Sequence, residues 1–366
     1  MSSHPPSPPG ISIRPAVPSD YAAIAALTGE LGRPMGLPPP AVWVATTMAD
    51  TFVAEDVDSP SSLSERNATA GSGSDAGSSV VTSGPPAIVG YIWAQACANH
   101  GYVRQLAVAP TRRRCGLGRS LLAAVTTSWA RTGCVAWHLY VGEANTAATR
   151  LYQSVGGVPT ASLTAVFLPW SAVAGLGVDP AGDHGVQGGG PREVLVAVEL
   201  PPELDAMAAA VFASSLPSWR LGCIRRGGVP VLATISVPVE GSHGDDDAGV
   251  AEVAASKAKD LVAAAAVHTS GVEGRPRLAV RGVCTYDPAL GGTTLFAASG
   301  KGAAGVMLRA LALRATVAQE LPGGLVVGVD QDERLVDVLL AAGAEVVHRA
   351  QLWTGVVKSG GQEGEV

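Results

Sequence analysis

In TRRRCGLGRSLL, Thr111 to Leu122, three consecutive arginines run into a cysteine and two glycines, and a helix-like run begins that carries a fourth arginine, Arg119. Before it stands YVRQLAVAP (102–110), which reads as a strand ended by Ala109-Pro110. After it, Leu117, Leu121, Val125 and Trp129 recur every four residues and predict one apolar stripe on a helix that starts near Gly116. Strand, glycine loop and helix N-terminus in that order make an anion site. The first N–H groups of a helix have no internal acceptor, and the macrodipole adds partial positive charge. The arginines can add charge-assisted hydrogen bonds.

Two nucleotide loops fail on spacing. A Walker A loop needs GxxxxGK[ST], but Gly118 is followed by Arg119-Ser120 with no glycine in the right place upstream. The dinucleotide fingerprint GxGxxG fails because Leu121 stands where its last glycine belongs.

The composition sets wider bounds. The 366 residues are enough for two ordinary domains, and 47% are hydrophobic, so a large core can form. A formal net charge of -6 gives no general attraction to nucleic acid, so anion binding must be local. The five cysteines are scattered with no CxxC pair, which points to neither a zinc site nor a disulfide framework and fits a reducing compartment. The first residues, MSSHPPSPPG, lack the apolar core of a secretory signal, and no 18-residue apolar run predicts a membrane span. The expected location is intracellular, cytoplasmic first, with organellar import left open. No metal site, nucleic-acid partner or membrane partner is expected.

Three stretches read as unstructured: 58–86, 172–191 and 240–249. Between them α and β alternate. Strands are expected at 11–15, 51–55, 87–98, 101–108, 135–141 and 194–200, with a turn at Asn99-His100-Gly101. Helices are expected from Ser19-Asp20 to Leu31, over 41–48, and from Asn145 or Thr146 to Gly156-Gly157, with Ala148, Leu151 and Val155 on one face. In the second half, helices are expected at 203–214, 253–267, 304–320 and 333–342, and strands at 229–237, 277–285, 293–298, 325–329 and 345–353.

R-x-x-G-x-G at Arg113, Gly116 and Gly118 resembles motif A of the GNAT superfamily of acyl-CoA-dependent N-acyltransferases. YVRQLAVAP looks like that family's fourth strand. VGEANTAATRLYQSVGG (141–157) is similar to its N-x-x-A-x-x-L-Y-x-x-x-G motif. The resemblance is firm over 102–157 and weaker from Ile11 to Leu200. It implies an α/β fold with a mostly antiparallel central sheet, splayed strands and flanking helices. The implied organisation is a disordered start (1–10), an acetyltransferase domain (11–200), a second, degenerate GNAT-like domain (201–356) and a disordered tail (357–366).

The resemblance also implies site roles. Backbone N–H groups among Arg113, Arg114, Cys115, Gly116, Leu117, Gly118, Arg119 and Ser120 would hold the pyrophosphate of acetyl-CoA, the acyl donor. The main chain of Leu106, Ala107 and Val108 would pair with its pantetheine arm, and Asn145 would help orient it. Tyr152 would protonate the departing thiolate. The acceptor is a primary amine: a protein N-terminus, a lysine or a small amine. The general base is a gap. No acid stands on the fourth strand, and Tyr140 occupies the place where a fifth-strand glutamate is expected. Glu143 is the nearby acid and the first candidate, with His100 and His138 as others.

The second half contains Gly300-Lys301-Gly302-Ala303-Ala304-Gly305, a literal GxGxxG. An internal repeat accounts for it better. VGVDQDERLVDVLLAAGA (327–344) can be laid on YVGEANTAATRLYQSVGG (140–157), with Asn145 opposite Asp332, Tyr152 opposite Leu339 and Gly156 opposite Gly343. Two other functions stay open: a CoA-binding module without catalysis, and a nucleotide-binding protein working through Gly300 to Gly305.

Overall fold

The computed structural model describes residues 8–29, 31, 37–57, 87–173, 176, 192–212, 218–226, 230–239, 247–267, 279–286, 292–317 and 323–358. The stretch 58–86 lies outside them, as do most of 1–10, 172–191, 240–249 and 357–366. The chain divides into two compact units. The first holds Met1–Leu139, Gln153–Gly156 and Gly355–Val366; the second holds Tyr140–Tyr152 and Gly157–Thr354.

The first unit begins with β1 (Ile11–Pro15), α1 (Tyr21–Gly29), α2 (Pro40–Thr46), β2 (Thr51–Asp56), β3 (Ala87–Cys97), β4 (His100–Val108) and α3 (Leu117–Arg131). β1, β2, β3 and β4 are antiparallel neighbours in chain order. The chain then enters β5 (Ala136–Gly142), which runs parallel to β4. Asp20 starts α1: its carboxylate accepts the Val17 N–H at 2.8 Å and pairs with Arg14. On one sheet face Ile24 and Leu27 of α1 and Trp43 of α2 pack on Val53, Tyr91 and Ala107. Under them Tyr91 joins α1 to β4, through Thr28 at 2.8 Å and Gln105 at 2.9 Å.

The expected stripe on α3 is present: Leu117, Leu121, Val125 and Trp129 are all buried. Gly101 is required beneath it, since a Cβ there would lie 2.4 Å from the Trp129 ring. The β3–β4 turn is one residue earlier than expected. Cys97 pairs with His100, so Ala98 and Asn99 make the turn, with Ala98 at φ 53°. In β4, Gln105 pairs with Trp93 and Val103 with Ala94, so Arg104 is an extra residue, a β-bulge.

After β5 come α4 (Thr146–Ser154), β6 (Val158–Pro169), α5 (Trp170–Val173), β7 (Arg192–Glu199), α6 (Asp205–Val211), α7 (Ser218–Arg226), β8 (Val231–Val239) and α8 (Asp247–Val267). Then follow β9 (Ala279–Thr285), β10 (Gly292–Ala298), α9 (Lys301–Val317), β11 (Gly324–Asp330), α10 (Glu333–Ala341) and β12 (Glu345–Val356). α8 starts at Asp247, inside the expected linker. β6 and α7 were not expected. In the second unit the strand order is β12, β6, β11, β10, β9, β8, β7. All neighbours there are antiparallel except β10 and β11.

Each unit thus uses one scheme: four antiparallel strands, a helix, then a strand parallel to the fourth. β7, β8, β9, β10, α9 and β11 repeat β1, β2, β3, β4, α3 and β5. The repeat extends to single residues. Asn145 Oδ1 accepts the Ala148 N–H at 3.1 Å, and Asp332 Oδ1 accepts the Leu335 N–H at 3.0 Å. Both are helix N-caps at the same offset. Gly156 and Gly343 follow their helices at φ 83° and 100°, a left-handed backbone that favours glycine.

Cys97 and Cys223 are each disulfide-bonded, which corrects the expectation that no disulfide forms; spacing in sequence does not show which cysteines are oxidised. Cys115, Cys134 and Cys284 are free.

Candidate functional site

The site begins where β4 ends. Pro110–Arg112 makes one 3-10 turn, Arg113 is extended, Arg114 is left-handed at φ 64°, and Gly116 is left-handed at φ 87° as the N-cap of α3. A backbone that alternates in this way forms a concave run of N–H groups, the geometry of an anion nest. The N–H groups of Arg114, Cys115, Gly116, Leu117 and Gly118 have no backbone acceptor among the described residues. The first to find one is Arg119, bonded to Gly116 O at 2.9 Å. No side chain caps the helix. A Cβ on Gly116 would meet nothing within 4 Å, so the space over the loop is open. Five orphan donors on an exposed loop at a helix N-terminus fit a phosphate group.

The arginines divide their tasks. Arg112 is paired with buried Asp56 at the end of β2. Arg113 Nε donates to Val108 O at 3.0 Å, tying the loop to the strand before it. Arg119 Nη2 reaches Ser154 Oγ at 3.3 Å. Arg114 is exposed and makes no side-chain hydrogen bond among the described residues, so it is the cation left to meet an anion. Cys115 donates its S–H to Arg112 O at 2.8 Å. Ser120 is buried, with its hydroxyl on Gly116 O at 3.4 Å. Asp56 is a support residue that the sequence did not disclose, because the strand was expected to end at Glu55.

The β4 edge beside the loop is open. β4 and β5 pair only at His100↔Ala136, Gly101↔Trp137 and Tyr102↔His138. Past Tyr102 the strands have no paired residues, which is the expected splay. Leu106, Ala107 and Val108 therefore pair with β3 on one side only.

At the closed end, His100 Nδ1 and His138 Nε2 lie 2.8 Å apart. Burial, with a smaller push from His100, lowers His138 to about 4. Burial also lowers His100. Both rings are neutral at pH 7, and His138 is a weak base there.

The remaining expected residues lie in the second unit. Glu143 is exposed, and its carboxylate makes no hydrogen bond among the described residues; only its N–H is engaged, on Arg349 O at 3.1 Å. The structure therefore shows a solvated loop acid at this position. The Asn145 side chain caps α4. Tyr152 is the one buried residue of α4, whereas Leu151, Ala148 and Val155 are half-buried, so the stripe expected on that helix is centred on the tyrosine.

The second unit's counterpart of the loop differs. β10 and β11 pair from Gly292↔Val326 to Phe296↔Val329, nearly the length of β10, with no comparable splay. Gly305 is a packing glycine: a Cβ there would come 2.9 Å from Leu176 O. Among the described residues no group of three or more His, Cys, Asp or Glu is arranged to hold a metal, and no helix is long and apolar enough to cross a membrane.

Residues 49–157 match the family model described as Acetyltransferase (GNAT) family. No curated protein matches the sequence. Among solved structures, the chain is similar to a GCN5-related N-acetyltransferase from Sphaerobacter thermophilus, at 14% identity, 96% coverage of this chain, 98% of that chain and a TM-score of 0.53. It is also similar to a candidate acetyltransferase from Pyrococcus horikoshii, at 11% identity, 96% and 90% coverage and a TM-score of 0.51. These two likenesses speak to the fold alone.

Proposed function

We propose that this chain, a GNAT superfamily protein with a second GNAT-like domain, moves the acetyl group of acetyl-CoA to a primary amine by direct attack in a ternary complex. One observation carries the reading: the run of orphan N–H groups from Arg114 to Gly118, set beside the unpaired edge of β4. The run matches a pyrophosphate, and the free strand edge matches an amide-bearing arm that can pair like a strand. Arg114 would add charge to the same phosphate.

In this reading Leu106, Ala107 and Val108 hold the pantetheine by main-chain bonds. The chain from Arg113 to Ser120 holds the phosphates. Tyr152, buried on α4, gives its proton to the sulfur as the C–S bond breaks, so that a thiol leaves instead of a thiolate. Asn145 shapes the start of α4 and thereby the approach to the donor. Acceptors of the proposed class are protein N-termini, lysines and small amines.

The non-catalytic reading has one observation in its favour: Glu143 is solvated and His138 is a weak base, so the residues first considered for proton removal are poorly suited. The two readings separate in a screen of primary amines and peptides with acetyl-CoA, scored by CoA release. Release that depends on the amine is expected. Binding of acetyl-CoA without release for any amine would leave only the non-catalytic module.

A further inference from the structure

Trp93 of β3 carries a buried indole N–H with no hydrogen-bond acceptor. A buried donor left unbonded is costly, and native folds seldom keep one unless something else meets it. A second donor stands beside it. Gln105 of β4 is directly opposite Trp93 in the sheet and is only 6% exposed. Its Oε1 accepts from the Tyr91 hydroxyl at 2.9 Å, and Tyr91 is held in turn by Thr28 of α1 at 2.8 Å. The Gln105 amide N–H groups have no acceptor among the described residues. All these residues belong to the first unit.

The bulge at Arg104 sets this arrangement. Tyr102 lies opposite Gln95 and Gln105 opposite Trp93, so Tyr102 and Gln105 share a face that a regular strand would not let them share. The position is that of the splay: pairing of β4 with β5 ends at Tyr102, and Gln105 directly precedes Leu106. Opposed residues in a sheet have Cβ atoms about 5 Å apart, near enough for both donors to meet one oxygen. The Arg104 guanidinium lies over the Trp93 ring, 5.4 Å from its centroid. Its charge suits an oxygen at this place and disfavours an ammonium group.

A carbonyl oxygen has two lone pairs and can accept from both donors. Beside the open edge of β4, that carbonyl must lie close to the reacting amine. In an N-terminal residue the first carbonyl follows directly on the carbon that bears the amine. A lysine side chain and an alkyl amine have no carbonyl there. The proton balance agrees. In the first unit Asp20 and Glu55 pair with Arg14, and Asp56 pairs with Arg112. Burial lowers His100 and His138. These groups are poorly suited to strip a proton from a strongly basic amine. An α-amine, with an ordinary pKa of about 7.7–8.0, is roughly one-third neutral near pH 7.5, against roughly one part in a thousand for lysine.

We propose that the acceptor is an α-amine next to a carbonyl, a peptide or protein N-terminus, and that Gln105 Nε2 and Trp93 Nε1 bind its first carbonyl oxygen. The proposal rests on the acetyl-transfer reading above and names the acceptor class within it.

The test uses the full chain with acetyl-CoA and three acceptors: a lysine-free peptide with a free N-terminus, an N-terminally blocked peptide with one lysine, and butylamine. With kcat/KM expressed per neutral amine, the free N-terminus should exceed both others by about tenfold or more, since only it fills both donors. Gln105→Glu keeps the oxygen that Tyr91 bonds and turns the other end from donor to acceptor. Trp93→Phe removes the indole N–H and keeps a ring. Each should raise KM for the N-terminal peptide by about five- to tenfold, the worth of one hydrogen bond, and change kcat less. Each should keep the thermal shift given by acetyl-CoA, which also shows that the variant is folded. If Gln105→Glu does not fold, Trp93→Phe and the wild-type preference decide. Equal or better use of the lysine peptide or butylamine by the wild type would overturn the proposal alone. So would a KM within twofold of wild type in the folded variants, or a lowered KM in Gln105→Glu. A wild type that binds acetyl-CoA and turns over no amine would overturn the acetyl-transfer reading, and this proposal with it.

Discussion

Arg114 and Gly116 both hold left-handed backbone, yet only glycine does so without strain. A left-handed arginine costs roughly 1–2 kcal/mol, and a glycine gives back about 0.5–1 kcal/mol of that through its freer unfolded chain. Relief of the strain is the larger effect, by roughly 0.5–1 kcal/mol. Arg114→Gly should therefore leave the apo melting temperature at or slightly above that of wild type. The same change removes the loop's uncommitted cation and should weaken acetyl-CoA binding by about tenfold, the loss of one charge-assisted hydrogen bond. Calorimetric titration checks both parts; an unchanged Kd would make Arg114 a spectator. At this scale the sequence disclosed the glycines but not the division of labour among the arginines. Arg112 is spent on Asp56, a partner across the long 58–86 stretch, and no local pattern reveals which arginine a distant buried carboxylate will claim.

Helix α3 and the strands around it were legible because their periods are strong. A four-residue apolar spacing over Leu117 to Trp129 has one reading, and glycines at its ends mark its limits. β6 was not legible. Its first residues, Val158 to Thr160, are exposed and its middle is Ala, Ser and Thr, so no two-residue alternation appears. The neutral histidine pair where β4 meets β5 gives these elements a pH signature. His138 is lowered to about 4, first by burial and then by His100. Above about pH 6.5 the ring is neutral in folded and unfolded chains alike, and its stabilising contribution is complete. As pH falls from about 6.5 to about 4 the unfolded chain takes up a proton that the folded chain refuses. Stability is then lost by up to about 1.4 kcal/mol per pH unit. His138→Gln should flatten that part of a denaturant-stability curve relative to wild type. Parallel curves for the two proteins would show that the pair does not titrate in this way.

For the whole molecule, the repeat was readable at its helix caps. Asn145 and Asp332 occupy equivalent N-cap positions, and Gly156 and Gly343 equivalent ends, because capping chemistry constrains residue type at fixed offsets. Strand partners were not readable. β6 lies between β12 and β11, and β7 pairs along its length with β8, so residue 200 falls between two paired strands. Pairing at such sequence distance follows from the assembled sheet and not from local pattern. The Tyr140–Asp330 bond joins residues 190 apart for the same reason.

The claim beneath all of this is that the loop after β4 holds the acyl donor by its main chain. It is tested most directly by thermal unfolding of the full chain with and without millimolar acetyl-CoA, in wild type and in Gly118→Glu. The substitution puts a carboxylate at the second position of α3, where a helix N-terminus favours negative charge, so the apo protein should unfold near the wild-type temperature. Acetyl-CoA at about 100 times its Kd should stabilise the wild type by about 2.7 kcal/mol and leave Gly118→Glu unmoved. No shift in the wild type, or an equal shift in both proteins, would contradict the account.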